Sequence, residues 1–528
     1  MRKKKQVNRL ISSMIFSLVA MSALSQTAAG RPTLVVGITI DQLRSDYIDL
    51  LQSHFGNNGF KRLMREGVYL ENLTFDISKF DKLTTTALLY TGAYPNINGI
   101  ISSERYEESD HRRYKVLTDT KYIGNASNET LSPMALKVST LSDELRMDNN
   151  GIGEVYAIAP DAQQAIIMAG HAANGAFWID DKTGKWASTT FYKDYPTVVS
   201  NRNFSQSLTS KLDTIQWKPI LNVNDYPGIA LHRTLFPFKY TFAGENRVEK
   251  FKQSALVNEE ITEVAIDCID ELTLGKRAGV DMLNIAYTVS PIDYAFDADS
   301  RIELQDKYIR LDRDLARLFA AIDRQVGRNV CIFVTSTGYF SDSYASEARF
   351  NIPTGEFSSK KAVSLLNMYL MALYGTGSWV SGYYDQTVYL NEALAKEQNI
   401  SVEELRDKSG KFLRRMAGVC NAYTLDEIID NPTSDDLRRL HKTITTDYAG
   451  DVFLQITPGW KVVDDYNTNI KDTYSINNAV SAPCFIIAPN IEPKKIITPV
   501  DATILAPTVS RILRIRSPNA AKELPLNL

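Results

Sequence analysis

At 528 residues the chain is long enough for one large α/β domain with insertions, or for two domains. Hydrophobic residues make up 44% and charged residues 23%, the balance of a soluble globular protein. A net charge of −3 with both signs interspersed argues against a nucleic-acid surface, which needs a clustered basic stripe.

In chain order, the first feature is a secretory signal. Arg2, Lys3, Lys4 and Lys5 form a cationic start, an apolar run follows from about Leu10 to Leu24, and Ala23-Leu24-Ser25 supplies small residues at a peptidase spacing. The expectation is a signal peptide over 1–25 and export to the periplasm or outer envelope, with a retained N-terminal anchor as the alternative. The apolar run is short for a membrane span, no cysteine near the cut suggests a lipid anchor, and no later segment approaches a transmembrane run.

The expected mature chain opens on Thr33–Ile40, an apolar β-rich run ending in Asp41, which reads as a strand buried on both faces. Gly59–Glu66 reads as an amphipathic helix. Glu154–Ala159, Met282–Thr288, Val330–Thr335 and Cys484–Ala488 are further strand candidates. Between two of them Tyr308, Leu311, Leu315, Leu318 and Ile322 recur at helical spacing. This alternation predicts a three-layer α/β/α sandwich over 26–528 with a mainly parallel sheet. The aromatic-rich segment 178–251 reads as a cap insertion, and 357–457 as a second insertion with charged helices near Val402–Leu413 and Asp435–Lys442. Cys268, Cys331, Cys420 and Cys484 show no CxxC spacing, so zinc-ribbon and thioredoxin readings have no support. Ligands of open parallel sheets bind beyond the carboxyl ends of the strands, where Asp41, Pro291–Asp297 and Thr337 fall.

Several phrases, in order, resemble the alkaline phosphatase superfamily, most closely the phosphate-irrepressible bacterial alkaline phosphatases and the nucleotide pyrophosphatase/phosphodiesterases. They are Val35-Val-Gly-Ile-Thr-Ile-Asp-Gln-Leu-Arg44, Gly59-Phe-Lys-Arg-Leu63, Tyr90-Thr-Gly92 with Pro95 and Gly99, and Ala169-Gly-His-Ala172 leading to Ala176-Phe-Trp178. Asp293-Tyr294, Tyr308-Ile-Arg-Leu-Asp312, Gly450-Asp-Val452 and Pro458-Gly-Trp460 complete them.

The resemblance implies two zinc ions about 4 Å apart that clamp the attacking and leaving oxygens of a phosphoryl displacement. It also implies a threonine or serine nucleophile held on one of them. Its ligands are a first-strand aspartate, an Asp-x-x-x-His pair, an Asp-His pair and a late histidine. Matched position by position, Asp41 and Asp293 keep their carboxylates, but Asp297 stands at the first histidine position. Thr337 and Gly338 stand at the Asp-His pair, and Ser481 at the late histidine. The nucleophile position holds Lys82, with Thr84 or Thr85 as the fallback if the register is shifted. The phosphate-contacting positions hold Ser103, Asp161 and Gln163 in place of an asparagine, a lysine and an arginine. With five histidines in the chain, two zinc sites of this type are not expected; a single Ca²⁺ or Zn²⁺ on Asp41, Asp293 and Asp297, with Asp299 nearby, is the alternative.

Bland readings compete with each of these. Asp41 reads as a leftover ligand or a helix cap, the acidic cluster as a solvated turn, Thr84–Thr86 as hydroxyl caps, and His171 as a structural histidine tied to backbone. Lys82 at a helix start reads as an anion site. The expectation is a non-catalytic phosphatase relative that binds an envelope protein or an anionic ligand. The rival is an active phosphodiesterase or phosphomonoesterase with a reduced metal site.

Overall fold

A strand covered on both faces has no solvent side toward which to alternate, and so is written as a continuous apolar run. The computed structural model describes residues 30–107, 110, 112–193, 195–227, 237–294, 301–340, 355–430, 432–446, 449–467, 472–475 and 481–528. The apolar runs form one eleven-stranded sheet. Its main strands are β1 (Leu34–Asp41), β2 (Val68–Thr74), β3 (Val155–Ala159), β4 (Gly175–Ile179), β5 (Trp186–Thr189), β6 (Asp281–Thr288), β7 (Val330–Ser336) and β8 (Ala482–Ile487). Across the sheet these run β2-β8-β7-β1-β6-β3-β4-β5.

The five central strands β7, β1, β6, β3 and β4 are mutually parallel, while β8 and β5 pair antiparallel to their neighbours. Leu34 lies opposite Asp281 and Val330, and Ile40 opposite Tyr287 and Ser336, so β1, β6 and β7 end level. The residues that follow them emerge side by side.

Period-two geometry divides each strand between two cores. The helices flanking the sheet are, in chain order, α1 (Lys82–Thr91), α2 (Leu141–Asp148), α3 (Ala162–Ala169), α4 (Leu256–Glu271) and α5 (Arg301–Val326), and Leu34, Val36, Ile38 and Ile40 face a core shared with α4 and α5. Val35 faces the opposite core with α1, α2, α3 and α6 (Leu505–Leu513). The result is helix, sheet, helix. Side chains such as Ile38 and Ile40 are fully buried, and each contributes about 1.5–3 kcal/mol relative to exposure.

The aromatic segment after residue 178 departs from the cap reading at its start, because Trp178 and Trp186 lie in strands of the large sheet. Its large rings are core rather than surface: Trp186, Trp217, Phe242 and Phe251 are fully buried. Trp217 Nε1 donates to Asp306 of α5 at 2.7 Å. Residues 356–474 add a separate four-stranded antiparallel sheet built from Val380–Tyr384, Thr387–Leu390, Val452–Ile456 and Val419–Thr424, with its own core around Leu366, Trp379 and Leu405. The expected signal peptide lies outside the described residues, and no helix among them is long and apolar enough to cross a membrane.

Candidate functional site

Asp41 is the last residue of β1 and is buried. It does not cap the next helix, whose start at Arg44 has no side-chain cap. Instead its Oδ1 accepts a hydrogen bond from the Thr337 hydroxyl at 3.1 Å, and the Gln42 amide donates to that same hydroxyl at 3.2 Å. Thr337 follows β7, so two adjacent strand ends are tied together at positions the resemblance assigns to metal ligands.

Lys82 opens α1, and the cap of that helix is Asp81 rather than the threonines. Asp81 is extended; one of its oxygens accepts from the Thr84 amide at 2.7 Å and the other from the Ser103 amide at 2.7 Å. A carboxylate therefore already fills the helix start where an anion was expected. The Thr85 hydroxyl donates back to the Asp81 carbonyl at 2.9 Å, and that of Thr86 to the Lys82 carbonyl at 2.6 Å. Both hydroxyls are committed to the helix, and the buried Thr84 hydroxyl has no hydrogen-bond partner among the described residues, so no base is in place to activate the fallback nucleophile.

The Lys82 ammonium forms an ion pair with Asp161. Asp161 follows β3, caps α3 through the Gln164 amide at 3.0 Å, and lies at the same sheet edge. Gln163 donates to the Ser103 carbonyl at 3.1 Å. The structure thus brings Asp41, Thr337, Lys82, Asp161, Ser103 and Gln163 into one neighbourhood. Water still reaches the pair, whose side chains are 37% and 26% exposed, although protein surrounds it on most sides.

Burial dominates the Asp41 carboxyl and raises its pKa above the ordinary value, against the opposing pull of Lys82, Thr337 and Lys307. Burial works against the charge on Lys82, yet Asp161 and Asp41 outweigh it and hold the ammonium well above the usual lysine range. Burial likewise disfavours the Asp161 carboxylate, but the charges of Lys82 and Lys252 keep it below its ordinary value. Lys307 of α5 is fully buried; desolvation pulls it down to about 7, opposed by Asp41 and Glu303, and its ammonium donates to the Ser290 carbonyl.

The other expected positions fall elsewhere or differ in role. Asp293 is exposed, with its amide donating to Gln253 at 3.0 Å, and Asp297 and Asp299 lie outside the described residues. The Ser481 carbonyl accepts from the Ser45 amide at 3.2 Å. Gly338 has φ +68°, and a Cβ built on it would lie 2.1 Å from a ring carbon of Phe75. That ring fills the space a histidine would need. His171 is held by Asp143 at 3.1 Å and by the Leu136 carbonyl at 3.0 Å, away from the pocket.

These residues do not fit the pair of zinc ions that the resemblance implies. Among the described residues no three His, Cys, Asp or Glu side chains stand together as a metal cluster requires. Sequence reasoning missed Phe75, Asp81 and Lys307. Lys307 had a signal: a lysine set between Leu304 and Leu311 on the apolar face of a helix.

A mainly parallel sheet covered by helices on both faces, with these side chains gathered at its strand ends, is the architecture of the alkaline phosphatase superfamily. The chain belongs to the type I phosphodiesterase/nucleotide pyrophosphatase family, whose pattern matches residues 35–480, within the alkaline phosphatase superfamily. Among individual proteins it is similar to alkaline phosphatase PhoV of Synechococcus elongatus, 28% identical with 95% of this chain and 94% of that one covered. Alkaline phosphatase PafA of Elizabethkingia meningoseptica is 27% identical with 96% of both chains covered. The crystal structure of PafA superimposes with a TM-score of 0.80 at 25% identity, over 94% of this chain and 99% of that one.

Proposed function

We propose that this chain is an alkaline-phosphatase-like protein that no longer hydrolyses phosphate esters and acts as a binding or scaffold subunit in the periplasm or cell envelope. The observation that carries the reading is the Lys82–Asp161 ion pair beside Asp41. A hydroxyl nucleophile needs a metal or base to activate it and positive charge to receive the phosphoryl oxygens. The nucleophile position instead carries an ammonium, which is a poor nucleophile while protonated. A phosphate-contacting position carries a carboxylate, which repels a phosphate ester. Asp81 and Asp161 together leave little net positive potential for an anion, so a protein partner is favoured over phosphate capture. The cationic start and apolar run at the N-terminus support export.

The test is hydrolysis of a chromogenic phosphomonoester and a phosphodiester by purified protein supplied with Zn²⁺, Mg²⁺ or Ca²⁺, beside an Asp41→Ala variant. Both proteins are expected to match background. Turnover well above background that disappears in the variant defeats the proposal and favours the rival hydrolase.

A further inference from the structure

A helix at a protein surface is written with an apolar stripe facing inward and polar residues facing water. The helix Ser359–Tyr374 of the second insertion departs from that rule. Ala362, Val363, Leu366 and Leu370 face the insertion's core, as an inner stripe should. The outer side is not polar, however. The stretch 364–374 carries no charged residue; on its solvent side Met368 is 57% exposed, Ala372 and Leu373 are exposed and Leu365 is half-buried. Its one carboxamide is used within the fold, since Asn367 Oδ1 accepts from the Trp379 amide at 2.7 Å. The neighbouring helix Val402–Leu413 makes the contrast, with Glu403, Glu404 and Lys411 on its exposed side. An apolar helix face left open to water in this way marks an interaction surface.

We propose that this face docks a second copy of the chain, with the two helices packed antiparallel about a two-fold axis that passes between Leu365 and Met368.

Two observations select a copy of the chain over another occupant. The first is spacing. Lys361, Leu365, Met368 and Ala372 follow one another at intervals of four, three and four residues, which keeps them on one side of the helix. That series reads the same from either end. An antiparallel copy therefore sets Leu365 against Met368 of its partner, and Lys361 against the small Ala372. One patch completes itself, as a two-fold interface requires. The second is charge. Lys360 and Lys361 are exposed at the amino end of the helix. At the carboxyl end the Tyr374 hydroxyl donates to Glu404 at 2.9 Å and holds that exposed carboxylate beside the helix. Antiparallel pairing brings each lysine end to the acidic end of the partner and aligns the two helix dipoles favourably. A parallel pairing would set Lys361 against Lys361.

One helix face per copy lies at the small end of specific interfaces, below about 1,200 Å² of total buried surface, so the dimer should depend on concentration. The inference goes beyond the proposed function and does not rest on it, because an active hydrolase and an inactive relative can pair alike. The test is sedimentation velocity on the full mature chain between roughly 1 and 100 µM. The native protein should pass from monomer toward dimer across that range. Met368→Glu, at an exposed site, should leave the melting temperature in dilute solution unchanged and raise the dissociation constant at least about tenfold. Lys361→Glu and Glu404→Lys should each weaken pairing, and an equal mixture of the two variants should pair as the native chain does, because every contact then joins opposite charges. A native chain that stays monomeric at the highest concentration overturns the inference, whether or not the face then binds a lipid vesicle or another protein. A dimer indifferent to Met368→Glu overturns it as well, and so does a mixture that fails to recover.

Discussion

Gly338→Ala tests whether Phe75 has closed the place of a metal-binding histidine. Gly338 has φ +68°, and an added Cβ would lie 2.1, 2.2 and 2.9 Å from three carbons of the Phe75 ring. Two costs follow. A non-glycine residue in the left-handed region costs about 1–3 kcal/mol, and overpacking a filled site costs about 1–3 kcal/mol more. The variant should therefore lose about 2–6 kcal/mol. Phe75 is 9% exposed and stands edge-on to Phe80 at 6.4 Å, so the ring has little freedom to turn aside. Phe75→Ala alone should cost about 3–5 kcal/mol through lost burial and a residual cavity. In the double variant the new methyl enters the space the ring has left, and the loss should fall short of the sum by about 1–3 kcal/mol. Urea unfolding followed by far-ultraviolet circular dichroism measures all three, provided the slope with denaturant stays constant. Additivity within about 0.5 kcal/mol would show that the methyl and the ring do not compete for the same space, and the steric argument against a histidine at this position would fall.

Three further outcomes are expected. Both ring nitrogens of His171 face acceptors, an arrangement only the imidazolium satisfies; burial opposes the charge, but Asp143 raises the pKa above 6.5. The resulting stability is full below about pH 6.5 and is lost as pH rises through the folded-state value, so His171→Gln should cost more near pH 6 than near pH 9. Equal costs at the two pH values would contradict the pairing. Arg202, only 4% exposed, bridges Glu260 and Asp267 at 3.0 Å each; Arg202→Met should cost about 3–5 kcal/mol and open residues 197–255 to limited proteolysis, and an unchanged digestion pattern would speak against it. Of the four thiols only Cys420 is exposed, while burial pushes those of Cys331 and Cys484 up to about 12, so a thiol reagent should label one cysteine in the native protein and four after unfolding.

The parts of the fold that local chemistry dictates were readable in advance. β1, β6 and β7 are predominantly apolar because they are covered on both faces, and α5 carries its apolar residues at helical spacing. The strand-end positions of Asp41 and Thr337 followed from the same logic. Their hydrogen bond spans 296 residues, and no local pattern announces it. The Lys82–Asp161 pair is equally non-local, and nothing near Lys82 in the sequence marks Asp161 as its partner. Asp81 had a local signal, an Asp three residues before Thr84, which the threonine run overshadowed. The aromatic-rich segment 178–251 reads from sequence only as a cap insertion, because irregular chain hides which way a ring faces; Trp186 and Trp217 face inward.

β1 lies in the middle of the sheet, yet both of its neighbours come much later in the chain, at Asp281–Thr288 and Val330–Ser336. During synthesis this apolar segment must wait for roughly 250 further residues before its first flank can be hydrogen-bonded and roughly 300 before its second, a delay on the order of tens of seconds at ordinary translation speeds. Non-local parallel pairing of this kind also makes for slow folding. Until those late strands arrive, the waiting apolar strand is exposed to aggregation.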